Sequence, residues 1–221
     1  MQKIFFLLFC SFLILISLNV CAQSEKSKFQ FGVFAGLSVP QGDFGSTSNE
    51  KAGYADLGFC GSIEGALEFV ENYYWVSSVS FSLNSLDQES LQNNIQALIP
   101  GTTVEAGDYT TAWIMTGLGS DVILSPTIKL YALLQLGLLL PNYPDITISN
   151  SGESITQTTS SNPALAYGFG AGINISKFNI GLRYYGGEPE YEQSATYQGA
   201  ITKVNVEMPT MILEILLGYN F

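Results

Sequence analysis

Three glutamates, Glu188, Glu190 and Glu192, alternate along one short stretch, and Asp145 and Glu153 lie in another polar segment. Oxygen ligands of this kind suit a hard cation such as Ca²⁺, held weakly. A solvated acidic rim that keeps the surface soluble is the stronger reading of the same residues. The chain has no histidine, so it lacks an imidazole base for hydrolytic chemistry and a His/Cys set for zinc. Serine–lysine chemistry needs a lysine whose charge is suppressed. Lys129 is the one lysine on an inward face, and Asp121 nearby holds it charged. Gly168, Gly170 and Gly172 fall at every second position of a strand, which is not the strand–turn–helix cradle of a phosphate site. No catalytic residue, cofactor or metal centre is expected.

The elements that carry these residues are strands with unlike faces. In FQFGVFAGLSV (29–39) every odd position is apolar, and a period of two marks a half-buried strand. The same alternation recurs at 55–70, 74–84, 110–124, 128–140, 164–175, 178–185 and 210–221. Short turns at 71–73, 125–127 and 176–177 alternate with long polar connections at 40–54, 85–109, 141–163 and 186–203. A short helix is expected within 86–99 of the second long connection.

Composition narrows the class. The chain of 221 residues has a formal net charge of −11, and only 12% of its residues are charged while 47% are hydrophobic. So acidic a chain is a poor partner for nucleic acid. Residues 1–22 read as a signal peptide, with Lys3, an apolar run from Ile4 to Leu18, and Val20-Cys21-Ala22 before the cut. A lipid-modified Cys21 is the alternative reading of that site. The mature domain is 23–221, and Cys60, its one cysteine, cannot form an internal disulfide.

The less apolar strand faces carry Glu64, Glu68, Asp121, Lys129, Arg183 and Glu214 among many Gly, Ala and Ser. Bulk water usually meets more Lys and Glu than that. A narrow barrel interior suits the mixture, with small residues leaving room for a few long ones to pair. Phe34, Tyr74, Trp113, Tyr131 and Tyr185 are expected to fill much of it. The opposite faces end in aromatics near the short turns (Phe29, Phe69, Trp75, Phe178, Tyr219 and Phe221), as at a membrane interface. The apolar faces are therefore expected to point outward, to lipid.

The residues VCAQ (20–23), GLSVPQGDFG (36–45), GLRYYGG (181–187) and the terminal LLGYNF resemble the outer-membrane β-barrel domain family of Bacteroidota type. In architecture that family is similar to the small eight-stranded barrels of the OmpA and OmpX kind. The resemblance implies an all-β fold, an eight-stranded antiparallel up-and-down transmembrane β-barrel with short periplasmic turns and long extracellular loops. It also implies a monomer in the cell outer membrane, with outer-membrane lipid, lipopolysaccharide and the barrel-assembly machinery as partners. Leu217, Tyr219 and Phe221 match that family's assembly signal. The expected role is non-enzymatic: adhesion, envelope integrity or docking of an unknown surface ligand. A narrow porin-like pore and a soluble exported lipocalin-like barrel are the alternatives.

Inside the barrel, Arg183 is the only arginine, and its planar fork can hold two carboxylates. Strand heights counted from the short turns suggest an Arg183–Glu214 pair with Glu64 beside it, and an Asp121–Lys129 pair lower down. Arginine is expected to be tolerated better at position 210 than at 213.

Overall fold

Eight strands close on themselves in the computed structural model, which describes residues 28–49, 51–197 and 200–221. The proposed signal peptide lies outside the described residues. In chain order the strands are β1 (Phe29–Gln41), β2 (Ala55–Val70), β3 (Tyr73–Leu86), β4 (Thr103–Ala106), β5 (Tyr109–Ser125), β6 (Ile128–Asn142), β7 (Ile146–Asn150), β8 (Glu153–Ser161), β9 (Ala164–Ile175), β10 (Phe178–Gly187), β11 (Glu190–Tyr197), β12 (Ala200–Glu207) and β13 (Thr210–Asn220). The closed barrel runs β1-β13-β10-β9-β6-β5-β3-β2, antiparallel throughout. These are the eight strands expected from alternation. The seam pairs the first strand with the last, Val33 opposite Tyr219 and Leu37 opposite Ile215.

Orientation of the faces follows from the period of two. Phe34 is 3% exposed while its neighbour Val33 is 43% exposed, and Leu133 at 4% adjoins Leu134 at 71%. Large apolar side chains thus cover the outside, among them Phe59, Phe81, Leu136, Phe169, Ile180 and Leu217. A continuous apolar exterior of this kind marks an interaction surface rather than an ordinary soluble face. Among the described residues no helix is long and apolar enough to cross a membrane, which leaves the strands themselves to be judged.

At the short-turn end, Asn72 (φ 67°) and Ser176 (φ 57°) take up the left-handed backbone of the tight turns. Glu68 serves the first of them, its Oε1 accepting from the Asn72 amide at 3.1 Å. The chain termini of the barrel gather here, with Phe31 against Phe221 and Tyr219 against Phe178 and Phe221.

The other end differs from the expectation of plain loops. There β4, β7, β8, β11 and β12 form a second sheet in the order β12-β11-β8-β7-β4. It is the barrel wall carried upward. Gly187 faces Thr210 below the break and Glu190 faces Glu207 above it, in the same register. Leu139 faces Ala164 below and Ile146 faces Gln157 above. Thr110 faces Asn142 below and Ala106 faces Ile146 above, with Thr103 opposite Ser149 at the far end. Four of the five breaks fall at Pro144, Pro163, Pro189 and Pro209, and the one between β4 and β5 falls at Gly107-Asp108; proline has no N–H to give the ladder. Five barrel strands therefore continue past the rim, whereas β1, β2 and β3 end at it.

Two helices complete the rim. Gly42–Gly45 is a single turn that buries Phe44. Gln88–Leu98 is the helix expected in 86–99, and Asp87 caps it by accepting from the Ser90 amide at 2.9 Å. The Asp87 carboxyl is held below its usual range by its hydrogen bonds from Ser90.

Candidate functional site

The barrel interior is layered, and each layer uses a different chemistry. Nearest the short turns, Asn174 Oδ1 accepts from the amides of Asn179 (2.7 Å) and Asn220 (3.0 Å), and Tyr131 donates to Asn179 at 3.1 Å. These groups line a polar pocket of about 30 Å³, enough to hold ordered water. Beside it Lys129 Nζ lies 3.6 Å from Asp121, diagonal to it across the Pro126 turn.

The middle layer corrects the expected pairing. Arg183 stands opposite Glu214 in the ladder, yet its Nη1 lies 2.6 Å from Oε2 of Glu64, on β2 beyond the seam. The Arg183 guanidinium also sits 5.1 Å from the Phe34 ring centroid, a cation–π contact. Glu214 stays within electrostatic reach of Arg183 but makes its hydrogen bonds to β3. Its Oε1 accepts from the hydroxyls of Ser80 (2.6 Å) and Ser82 (3.2 Å). Hydroxyls on β3 reach that carboxylate while the longer arginine spans to β2, so side-chain length decided the partner. Glu68 makes no ion pair among the described residues; its carboxylate accepts from the Asn72 amide at the turn and lies close enough to Asp121 to repel it.

Level with Glu64, Gln135 donates to Ser78 at 3.1 Å, and nearer the rim Ser38 donates to Asn84 at 2.9 Å. Trp113 stacks on Tyr185 with ring centroids 5.3 Å apart. The rim is closed by Phe44, Tyr109, Tyr143 and Tyr191, each ring within 5.1 Å of the next. Thr210 is fully buried under the last two, with both tyrosine hydroxyls 3.2 Å from its own. Thr210 faces inward, as expected, but it is packed under the rim cluster, so an arginine there would have to displace Tyr143 and Tyr191.

The glycines on the inner face have a packing reason. Aromatic side chains pack against them: Phe34 on Gly218, Tyr74 on Gly119, Tyr185 on Gly168 and the Tyr131 hydroxyl on Gly181. A methyl group at Gly181 would collide with the Tyr131 hydroxyl. Gly181→Ala is expected to destabilise the barrel by about 1–3 kcal/mol through overpacking. At Gly61 the nearest atom to an added methyl is 3.8 Å away, so Gly61→Ala is expected to be near neutral. Urea midpoints of the refolded barrel check both.

Among the described residues the interior is filled by an ion pair, hydroxyls and rings, and the polar pocket at the short-turn end reaches up to Glu64. Among the described residues no three Asp, Glu or Cys side chains converge as metal ligands. Glu190 and Glu192 lie on β11, Glu188 and Asp145 in the breaks, and Glu153 at the β7–β8 turn. Sequence reasoning missed the wall. ITISN-SG-ESITQTTSS carries the alternation of a hairpin around Ser151-Gly152, a legible signal, but its Ser and Thr content reads first as loop.

No protein-family model and no curated protein matches the chain. Solved structures do. Neisserial surface protein A aligns with a TM-score of 0.52 at 15% identity, over 89% of this chain and 98% of that one. A major outer membrane protein from Thermus thermophilus aligns with a TM-score of 0.53 at 10% identity, over 88% of this chain and 100% of that one. At these identities the likeness is one of fold, and the fold they share with this chain is the small closed β-barrel seen in outer-membrane proteins.

Proposed function

We propose that this chain is a non-enzymatic barrel of the outer membrane that anchors a sheet-like platform at the cell surface for contact with other molecules. One observation carries the reading: the barrel is apolar outside and filled inside, while five of its strands extend past the rim. The apolar belt is the lipid contact, with phospholipid and lipopolysaccharide around it. The short turns face the periplasm, and the barrel works as a monomer. A filled interior weighs against a pore, and the lack of histidine against known kinds of hydrolytic site. The resemblance to barrels of Bacteroidota type supports an exported precursor whose signal peptide is removed.

Membrane fractionation tests the anchor. The protein is expected to stay in the pellet after an alkaline wash and to migrate faster in gels before heating than after. Release into the supernatant would favour the soluble lipocalin-like alternative. In planar bilayers no stable conductance step is expected.

A second test concerns assembly. Phe221 donates its backbone N–H to the Phe31 carbonyl at 2.8 Å and packs against Phe31 and Tyr219, so it fastens the seam. Together with Leu217 and Tyr219 it forms the proposed signal for the assembly machinery. Deleting Phe221 is expected to reduce folded barrel in cells several-fold, and to reduce refolding into pure lipid vesicles much less. Equal losses in both would assign Phe221 to the seam alone.

A further inference from the structure

The barrel and the wall above it keep one register at three of their seams, and at the fourth they do not. Below that break Gly187 of β10 faces Ala166 of β9. Above it Tyr191 of β11 faces Ser161 of β8, so the register slips by one residue. Pro163 and Pro189 stand on the two neighbouring strands at this height, and neither has an N–H to bridge the gap. Asn162 donates its backbone N–H to the Glu190 carbonyl at 3.3 Å, and from there down to Gly187 no ladder pair joins the two sides. The wall parts here into a notch of about 440 Å³, lined among others by Pro163, Ala164, Leu165, Tyr167, Glu188 and Glu190. That volume lies within the ~300–1,000 Å³ of small-molecule sites.

The notch has two unlike sides. Its lower side is the top of the apolar belt. Leu165 is 84% exposed, and the half-exposed Tyr167 ring lies over Gly186, where an added methyl group would strike it. Phe169 continues the same outer face downward. The upper side is acidic. Neither Glu188 nor Glu190 has an ion-pair partner among the described residues, and no lysine or arginine lines the notch. Lys203, the one lysine of the wall strands, is held by Glu192. The Tyr167 ring adds a face that attracts cations. A divalent metal ion takes about six or more oxygens, which the apolar side cannot supply. Behind the gap Leu139 is fully buried and packs against Gly187, so the notch is backed by the rim core.

We propose that the notch binds a membrane lipid whose headgroup ends in a primary ammonium group. The ammonium lies beside Glu188 and Glu190 and against the Tyr167 ring, and the alkyl chains run down the belt over Leu165 and Phe169. Charge complementarity selects the head, and continuity with the belt selects a lipid over a water-soluble amine. The inference rests on the reading of the apolar face as the lipid contact.

The folded chain in detergent micelles is doped with equal amounts of an ethanolamine-headed and a glycerol-headed phospholipid with the same acyl chains. Lipids retained on the barrel are counted by native mass spectrometry. Retention of one ethanolamine lipid is expected, favoured roughly fivefold over the glycerol lipid. Glu188→Gln with Glu190→Gln is expected to remove the preference, and Glu105→Gln, at an exposed acid on β4, to leave it intact. A preference that survives the double change, or that Glu105→Gln removes equally, would reduce the effect to the acidity of the whole surface and overturn the proposal. Equal retention of the two lipids in the unaltered chain would overturn it as well. So would loss of the preference on chelating divalent ions, or full competition by butylammonium at the lipid's concentration, which would assign the notch to free amines. Gel mobility before and after heating is read on each variant, so that only folded barrels are compared. A barrel that stays in alkaline-washed membranes and shows no lipid preference refutes this inference and not the anchor.

Discussion

Replacing Arg183 by Met is expected to destabilise the refolded barrel by roughly 3–5 kcal/mol, the cost of leaving a buried carboxylate without its partner. The ion pair it breaks is the 2.6 Å contact with Glu64, in which the arginine side chain is fully buried and Glu64 is 14% exposed. Glu64→Leu alone leaves the guanidinium unpaired and is expected to cost a similar amount. Combining Arg183→Met with Glu64→Leu should recover much of the loss, since two apolar side chains of similar volume need no compensation. The same arginine change combined with Glu214→Leu should recover less, because Ser80 and Ser82 then lose their acceptor while Glu64 stays unpaired. Urea unfolding of the four variants in one lipid decides the matter. Greater rescue by the Glu214 change than by the Glu64 change would restore the pairing that ladder position alone suggests.

Leu134→Arg is expected to cost about 2–4 kcal/mol in lipid vesicles if Leu134 lies near the bilayer midplane. Leu134 is 71% exposed on the outer wall, midway along β6 and well away from both rims. In a water-soluble barrel an exposed leucine changed to arginine would alter stability by about 0.5 kcal/mol or less. The size of the effect therefore separates the two environments without any assay of function. A near-neutral result would place the apolar face in water and refute the membrane reading. Lys at Leu136 should behave similarly, because the two leucines share one face two residues apart.

Much of this was legible in the residues themselves. Alternation marked all eight barrel strands because the pleat forces side chains to opposite faces, and one face had to meet a different medium from the other. Short turns and long connections marked the two ends. Phe34, Tyr74, Trp113, Tyr131 and Tyr185 were readable as inward because their neighbours in the chain were outward. The lack of histidine weighs against imidazole-dependent chemistry. The Asp121–Lys129 contact was readable because both residues flank one turn, so local register determines their distance.

The partner of Arg183 was not readable in this way. Register places Glu214 opposite it, but a side chain inside a closed barrel can reach across the lumen as easily as to its ladder neighbour. Only the closed geometry, with Ser80 and Ser82 already holding Glu214, sends the guanidinium to Glu64. Glu68 keeps its place near Asp121, but its hydrogen bond goes to the tight turn at Asn72, which the spacing of the acids did not show. The wall above the rim was missed for a related reason. Its strands are short, rich in Ser and Thr, and broken by proline, so each is weak as a local signal. They become strands because the barrel below already holds their neighbours in register, and pairing then propagates past each break at little further entropic cost.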